Sequence, residues 1–134
     1  MTVSLITEGK GCMAIDIVGV ASVAAAGQGQ ILNPEGVDLL ILRSTLYIIT
    51  PATAAALMSI GFAATGVLSV DLIDALSMVQ TAKTIWNGHA PQFTAKSETT
   101  APLWEAEQYL TFSTVNQSAL PLHAILFLDY IRLE

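Results

Sequence analysis

Residues 44–70, bounded by Arg43 and Asp71, carry no charged side chain. A run of this length constrains the fold more than any other feature, because roughly 20 apolar residues cross a bilayer as a helix. Its composition argues against that use. Thr50, Pro51, Thr53, Ser59, Gly61, Thr65, Gly66 and Ser69 interrupt it every few residues. In lipid every backbone amide must find an internal partner, and Thr-Pro-Ala-Thr in mid-span would loosen that pairing. Basic flanks are missing as well, with Arg43 alone on one side and Asp71 and Asp74 on the other. The run reads instead as two strands and a turn. Leu40, Leu42, Leu46 and Ile48 are expected on one face, with Arg43, Thr45 and Tyr47 on the other. Pro51 ends the first strand by removing a ladder donor. A second strand starts within residues 55–64, carrying Leu57, Met58, Ile60 and Phe62.

The 134 residues can bury a real core and read as one domain, residues 1–134. Charged residues are 12% of the chain, against about 25% in an average soluble domain. Thr, Ser, Gln and Asn must then supply the polar surface, or part of the surface must face other subunits. The net charge is −6, with Lys10, Arg43, Lys83, Lys96 and Arg132 thinly spread. Nothing in that pattern neutralises a phosphate backbone, so no nucleic-acid partner is expected. Cys12 is the single cysteine and excludes an internal disulfide; it reads as a small buried hydrophobe in a strand. No basic segment opens the chain as a secretory signal would, so assembly in a cytoplasm is expected.

Turn signals recur at residues 8–11, 27–29, 33–36, 50–53, 65–66, 87–91 and 116–118, separated by apolar runs of strand length. This favours an all-β fold, a β-sandwich or jelly roll. The run from His123 to Leu133 is apolar on both faces, as in a central strand covered on both sides. Residues 70–79 break the pattern. Leu72, Leu76 and Val79 share a helical face and Ser69 or Asp71 can cap it, predicting one short helix or helical turn. Residues 102–109 fit a helical turn or the start of a strand.

No catalytic constellation emerges. His89 and His123 have no partner at metal-ligand spacing, and Asp71 and Asp74 are explained by a solvated helix face. The glycine clusters at 27–30 and 61–66 match no phosphate-binding pattern and read as turns. The chain is therefore expected to be no enzyme, with no catalytic residue, metal or cofactor. Trp86, Asn87, His89 and Trp104 are the best candidates for a sugar-binding surface, should there be one.

The order of the pieces carries a family resemblance. Asn33-Pro-Glu-Gly36 leads into Val37-Asp-Leu-Leu-Ile-Leu42, followed by Thr50-Pro-Ala-Thr53 and Ile60-Gly-Phe-Ala-Ala64. Asp71-Leu-Ile-Asp74, Trp104, Tyr109-Leu-Thr111 and Leu128-Asp-Tyr-Ile-Arg132 come after. Over roughly residues 15–133 this resembles small virion structural proteins of tailed bacteriophages, of the capsid decoration or cement type. The resemblance implies a sandwich or jelly roll on the surface of a phage head, without enzymatic activity. It also implies binding to the major capsid protein and self-association, with a trimer expected. Residues 1–11 would form an extended N-terminal arm. Within it, Thr2, Val3, Ser4, Thr7, Glu8 and Lys10 are the candidate capsid contacts, being polar or lacking core periodicity. The alternative is a tail or fibre module that holds a host glycan through Trp86, Asn87, His89 and Trp104.

Overall fold

The computed structural model describes residues 9–19, 27–65, 69, 71–79, 82–87, 102–115 and 120–133. The described residues form nine strands and no helix: β1 (Lys10–Val18), β2 (Gly27–Leu32), β3 (Asp38–Thr50), β4 (Leu57–Ala63), β5 (Ile73–Ser77), β6 (Thr84–Asn87), β7 (Leu103–Trp104), β8 (Tyr109–Val115) and β9 (His123–Leu133). One sheet runs β1-β9-β3-β6, with β7 also pairing to β3; the other runs β2-β8-β4-β5. Every pairing is antiparallel. The result is the β-sandwich expected from the strand and turn pattern.

The charge-free run is two strands, as its composition demands. β3 stops at Thr50, just before Pro51, and β4 opens at Leu57 in the opposite sheet. The turn between them thus crosses the sandwich rather than closing a hairpin. Among the described residues no helix is long and apolar enough to cross a membrane.

Alternation along each strand fills the space between the sheets. Leu39, Ile41, Leu46 and Ile48 of β3 face Met58, Ile60 and Phe62 of β4, and all are buried. The phase within β3 differs from the simple alternation. A register shift between Ile41 and Arg43 leaves Leu42 unpaired and exposed, so Leu39 and Ile41 point inward where Leu40 and Leu42 were expected. A β-bulge inserts one residue and thereby switches the faces of everything before it.

Where a helix is expected at residues 70–79, the described residues 71–79 hold the strand β5, Ile73–Ser77. In β5, Asp74 and Ala75 together oppose Ser59, between the Met58–Leu76 and Ile60–Ile73 pairs. Ala75 takes a left-handed conformation (φ 53°), and its N–H donates to Ser59 Oγ at 3.1 Å. This bulge turns both Ile73 and Leu76 into the core, so a strand imitates helical spacing. Asp71 and Asp74 share no helix face. The Asp71 carboxylate instead accepts from Phe62 N–H and the Ser69 hydroxyl, fastening the approach to β5 onto β4. Gly61 permits that approach from within a strand, not a turn: a Cβ there would overlap Ser69 Oγ and stand 2.6 Å from Asp71 N. Gly27 and Gly29 likewise open β2 across a register shift. Residues 102–109 resolve as β7 and a turn into β8.

One end of the sandwich is tied by the turn at residues 33–36. Asn33 is buried, and its side-chain amide N–H groups reach Val37 O, Trp104 O and Glu105 O at 2.9–3.1 Å. Its Oδ1 accepts from Glu35 N–H, an Asx turn that positions the next carboxylate. Glu35 then accepts from the Tyr130 hydroxyl at 3.0 Å and from Arg132 Nε at 2.6 Å. Arg132, then Tyr130, hold the Glu35 carboxyl below its ordinary value of 4.5. Burial, and then the same carboxylate, push the Tyr130 phenol up. The Tyr130 ring lies over Gly11, where a Cβ would come within 2.7 Å of it.

A carboxyl that releases its proton more readily when folded adds stability above its unfolded value, and that stability is lost as pH falls through the folded value. Glu35→Gln should therefore lower stability at neutral pH and flatten its decline from about pH 5 downward. Urea unfolding across that range checks this. An unchanged acid slope would show that the decline arises elsewhere.

Candidate assembly surface

The outer face of the β1-β9-β3-β6 sheet is the main unsatisfied feature among the described residues. Inward alternation of β9 buries Ala124, Leu126, Leu128 and Tyr130, which leaves Ile125, Phe127, Ile131 and Leu133 pointing out. β9 is the central strand that its composition suggested, yet its second apolar face is uncovered. Cross-strand register builds rows on that face: Ala14–Phe127–Thr45, then Asp16–Ile125–Tyr47–Ile85, and Ile131–Leu40–Leu103 towards the other end. Val18, Leu42, Ile85, Leu103, Phe127 and Leu133 are between 39% and 64% exposed. They are six of the ten large apolar side chains left exposed among the described residues. Rows of exposed apolar side chains make this face the candidate site for contact with another macromolecule.

Polar groups on this face pair laterally between neighbouring strands. Arg43 contacts Asp129 at 2.9 Å, and His123 Nε2 lies 2.6 Å from Asp16 Oδ1. Both pairs are exposed and contribute little to stability; the Arg43–Asp129 pair sets one charge of each sign side by side on the face. Cys12 joins them. It alternates with Gly11 and Met13 in β1, opposite Asp129, and is exposed rather than the buried hydrophobe expected from its neighbours.

The residues singled out in the sequence fall elsewhere. Thr2, Val3, Ser4, Thr7, Glu8 and His89 lie outside the described residues. Lys10 opens β1 opposite Ile131, and the Gly9 carbonyl accepts from Arg132 N–H at 2.6 Å. Lys10 and Gly11 therefore belong to the sheet, not to an arm. Trp86 and Asn87 lie on β6 opposite Leu46 and Thr45. Trp104 is fully buried, stacked on Phe62 with ring centroids 5.4 Å apart, and its indole N–H donates to Gln108 O at 2.9 Å. It offers no face to a sugar. Aromatic residues near polar ones suggested a groove, but the apolar alternation of β7 directs this ring inward. Among the described residues no cluster of three or more His, Cys, Asp or Glu could hold a metal ion.

Sequence reasoning pointed to β9 but not to the rows that β1, β3, β6 and β7 add beside it. Its signal was the two-faced run His123–Leu133, which needs cover on both sides and was the ground for expecting self-association through apolar surface.

No protein-family model matches the chain, and no curated protein matches it in sequence. In fold it is similar to a chain of the "Cyanophage Pam1 capsid asymmetric unit", over 99% of this chain and 93% of that one. The TM-score is 0.57 and the sequence identity 15%. At that identity the likeness is one of fold.

Proposed function

We propose that this chain is a virion structural protein of a tailed phage, a decoration or cement protein that binds the major capsid protein lattice and stabilises the head. The carrying observation is the near end-to-end likeness of its sandwich to a chain from a phage capsid. The low charge content and the open apolar sheet face support the reading, since both suit a protein held in an assembly. The role requires no catalysis and no cofactor.

Capsid contact is assigned to Thr2, Val3, Ser4, Thr7 and Glu8, which precede the point where Gly9 is tied to β9. Binding to the closed shell and not to its dissociated subunits stabilises the shell by mass action. Heads lacking the protein should release DNA at lower temperature, and adding the full chain back should restore resistance. A chain lacking residues 2–8 should fold normally and restore less. Equal robustness of heads with and without the protein would overturn the cement role.

A further inference from the structure

We infer that the open seam between β1 and β2 binds an extended segment of another protein, which adds to β1 as a further strand and places one large apolar side chain between the sheets. This goes beyond the proposed role on the head and does not depend on it. β1 and β2 end their respective sheets on the same side of the sandwich. In an antiparallel ladder alternate residues turn their N–H and C=O towards the neighbouring strand. Arg132 N–H donates to Gly9 O and Gly19 N–H to Leu122 O, both continuing the β1–β9 register, so the odd-numbered residues of β1 face β9. Cys12, Ala14, Asp16 and Val18 therefore present their backbone groups at the free edge, where no described residue takes them. Lys10 O is held by Arg132 Nη1. By the same reasoning β2 offers only Gln30 and Leu32 beyond its register shift, since Asn33 N–H donates to Gln108 O. The longer free run puts the added strand on β1. An unpaired edge of this kind is a template for extended backbone.

A cavity of about 170 Å³ opens into this seam. The buried Ile17, Met58 and Phe112 form its floor, and the exposed Asp16 and Gln30 stand at its rim. Its cause is Gly29. Directly opposite Phe112, Gly29 shares the inward face but supplies no side chain to fill it. A Cβ there would stand 3.6 Å from the Phe112 ring, an ordinary contact distance. The space is well below the roughly 300 Å³ at which small-molecule sites begin, and close to the roughly 150 Å³ of an apolar cavity that admits benzene. One side chain fits it, and a strand residue opposite Ile17 points the same way as Ile17, between the sheets. Charge sets the rest of the segment. Asp16 is the only charged side chain from Cys12 to Val18, and the chain carries −6 overall. Its side chain is 64% exposed despite the contact with His123. The residue opposite Asp16 is then a Lys or Arg.

The probe is the synthetic peptide Lys-Val-Lys-Phe-Lys-Val-Lys, titrated by calorimetry into the full chain at physiological salt, beside a control with serine in place of phenylalanine. The phenylalanine peptide should bind at least about 10-fold more tightly, the difference expected for burying one ring. It should also slow amide exchange at Ala14 and Asp16. Ala14→Pro removes an outward N–H without touching the β9 ladder, and should weaken both peptides alike. If it unfolds the chain, Cys12→Pro, which also removes an outward N–H, replaces it. Gly29→Val fills the cavity; it should raise the melting temperature and abolish the preference for phenylalanine. Absence of binding, equal binding of the two peptides by the unaltered chain, indifference to the proline variants, or a preference that survives Gly29→Val would overturn the inference. Slow exchange at Ala14 and Asp16 without any peptide would overturn it too, by showing the edge already covered within the chain or by a second copy.

Discussion

Trp104→Ala should cost roughly 3–5 kcal/mol of stability, the range for deleting a fully buried indole, and lower the melting temperature by roughly 10–20 °C. Three losses combine. The cavity opens between the sheets, where Trp104 pairs with Leu39 on β3 and both are fully buried. Its stacking on Phe62, which ties β7 to the opposite sheet, disappears. The Gln108 carbonyl also loses its indole donor. Trp104→Phe separates these effects, since it keeps most of the volume and the stacking but not the N–H. Its cost should be well under that of alanine. Chemical denaturation of both variants checks the order, and equal losses would place the stabilisation in the hydrogen bond instead of the packing.

Asn33→Asp should be comparably damaging, at roughly 3–5 kcal/mol near neutral pH, the range for a buried charge left unpaired. The three carbonyls around this side chain can only accept, so the amide nitrogen must face them. A carboxylate of the same shape turns each attraction into a repulsion, while the bond from Glu35 N–H to the other oxygen survives. The variant also has a pH signature. Burial and the facing carbonyls raise the new carboxyl's pKa in the folded state above its unfolded value. Its destabilisation is then largest above the folded value and shrinks as pH falls and the group takes up a proton. Denaturation of Asn33→Asp and Asn33→Ala in parallel tests this, because only the aspartate should recover towards acid pH.

Much of the sandwich was legible in the chain because strand alternation and turn residues are local signals. Pro51 ended β3 where a missing N–H had to end it, and the apolar run of His123–Leu133 became the central strand. What escaped were the bulges. Leu42 at the β3 shift and Ala75 in β5 each alter the side-chain phase by one residue, and neither position holds the glycine or asparagine that usually announces such a conformation. At residues 72–79 the bulge produced an apolar spacing that a helix produces equally well. The polar corner was half visible. Asn33 and Glu35 announced a turn, but their partners Trp104, Tyr130 and Arg132 lie about 70 to 100 residues away in sequence, and only the fold brings them together.

The apolar sheet face shows the same division. Its residues were visible as apolar, whereas their being uncovered is a property of the packed sandwich. In β9 a strand flanked on both sides within its sheet still leaves one face for another molecule to cover.

The most direct test of a structural role on the phage head is to locate the protein in a reconstruction of intact virions. The proposed function predicts density fitting this two-sheet sandwich repeated over the outer surface of the head lattice. Density confined to the tail or its fibres would contradict it.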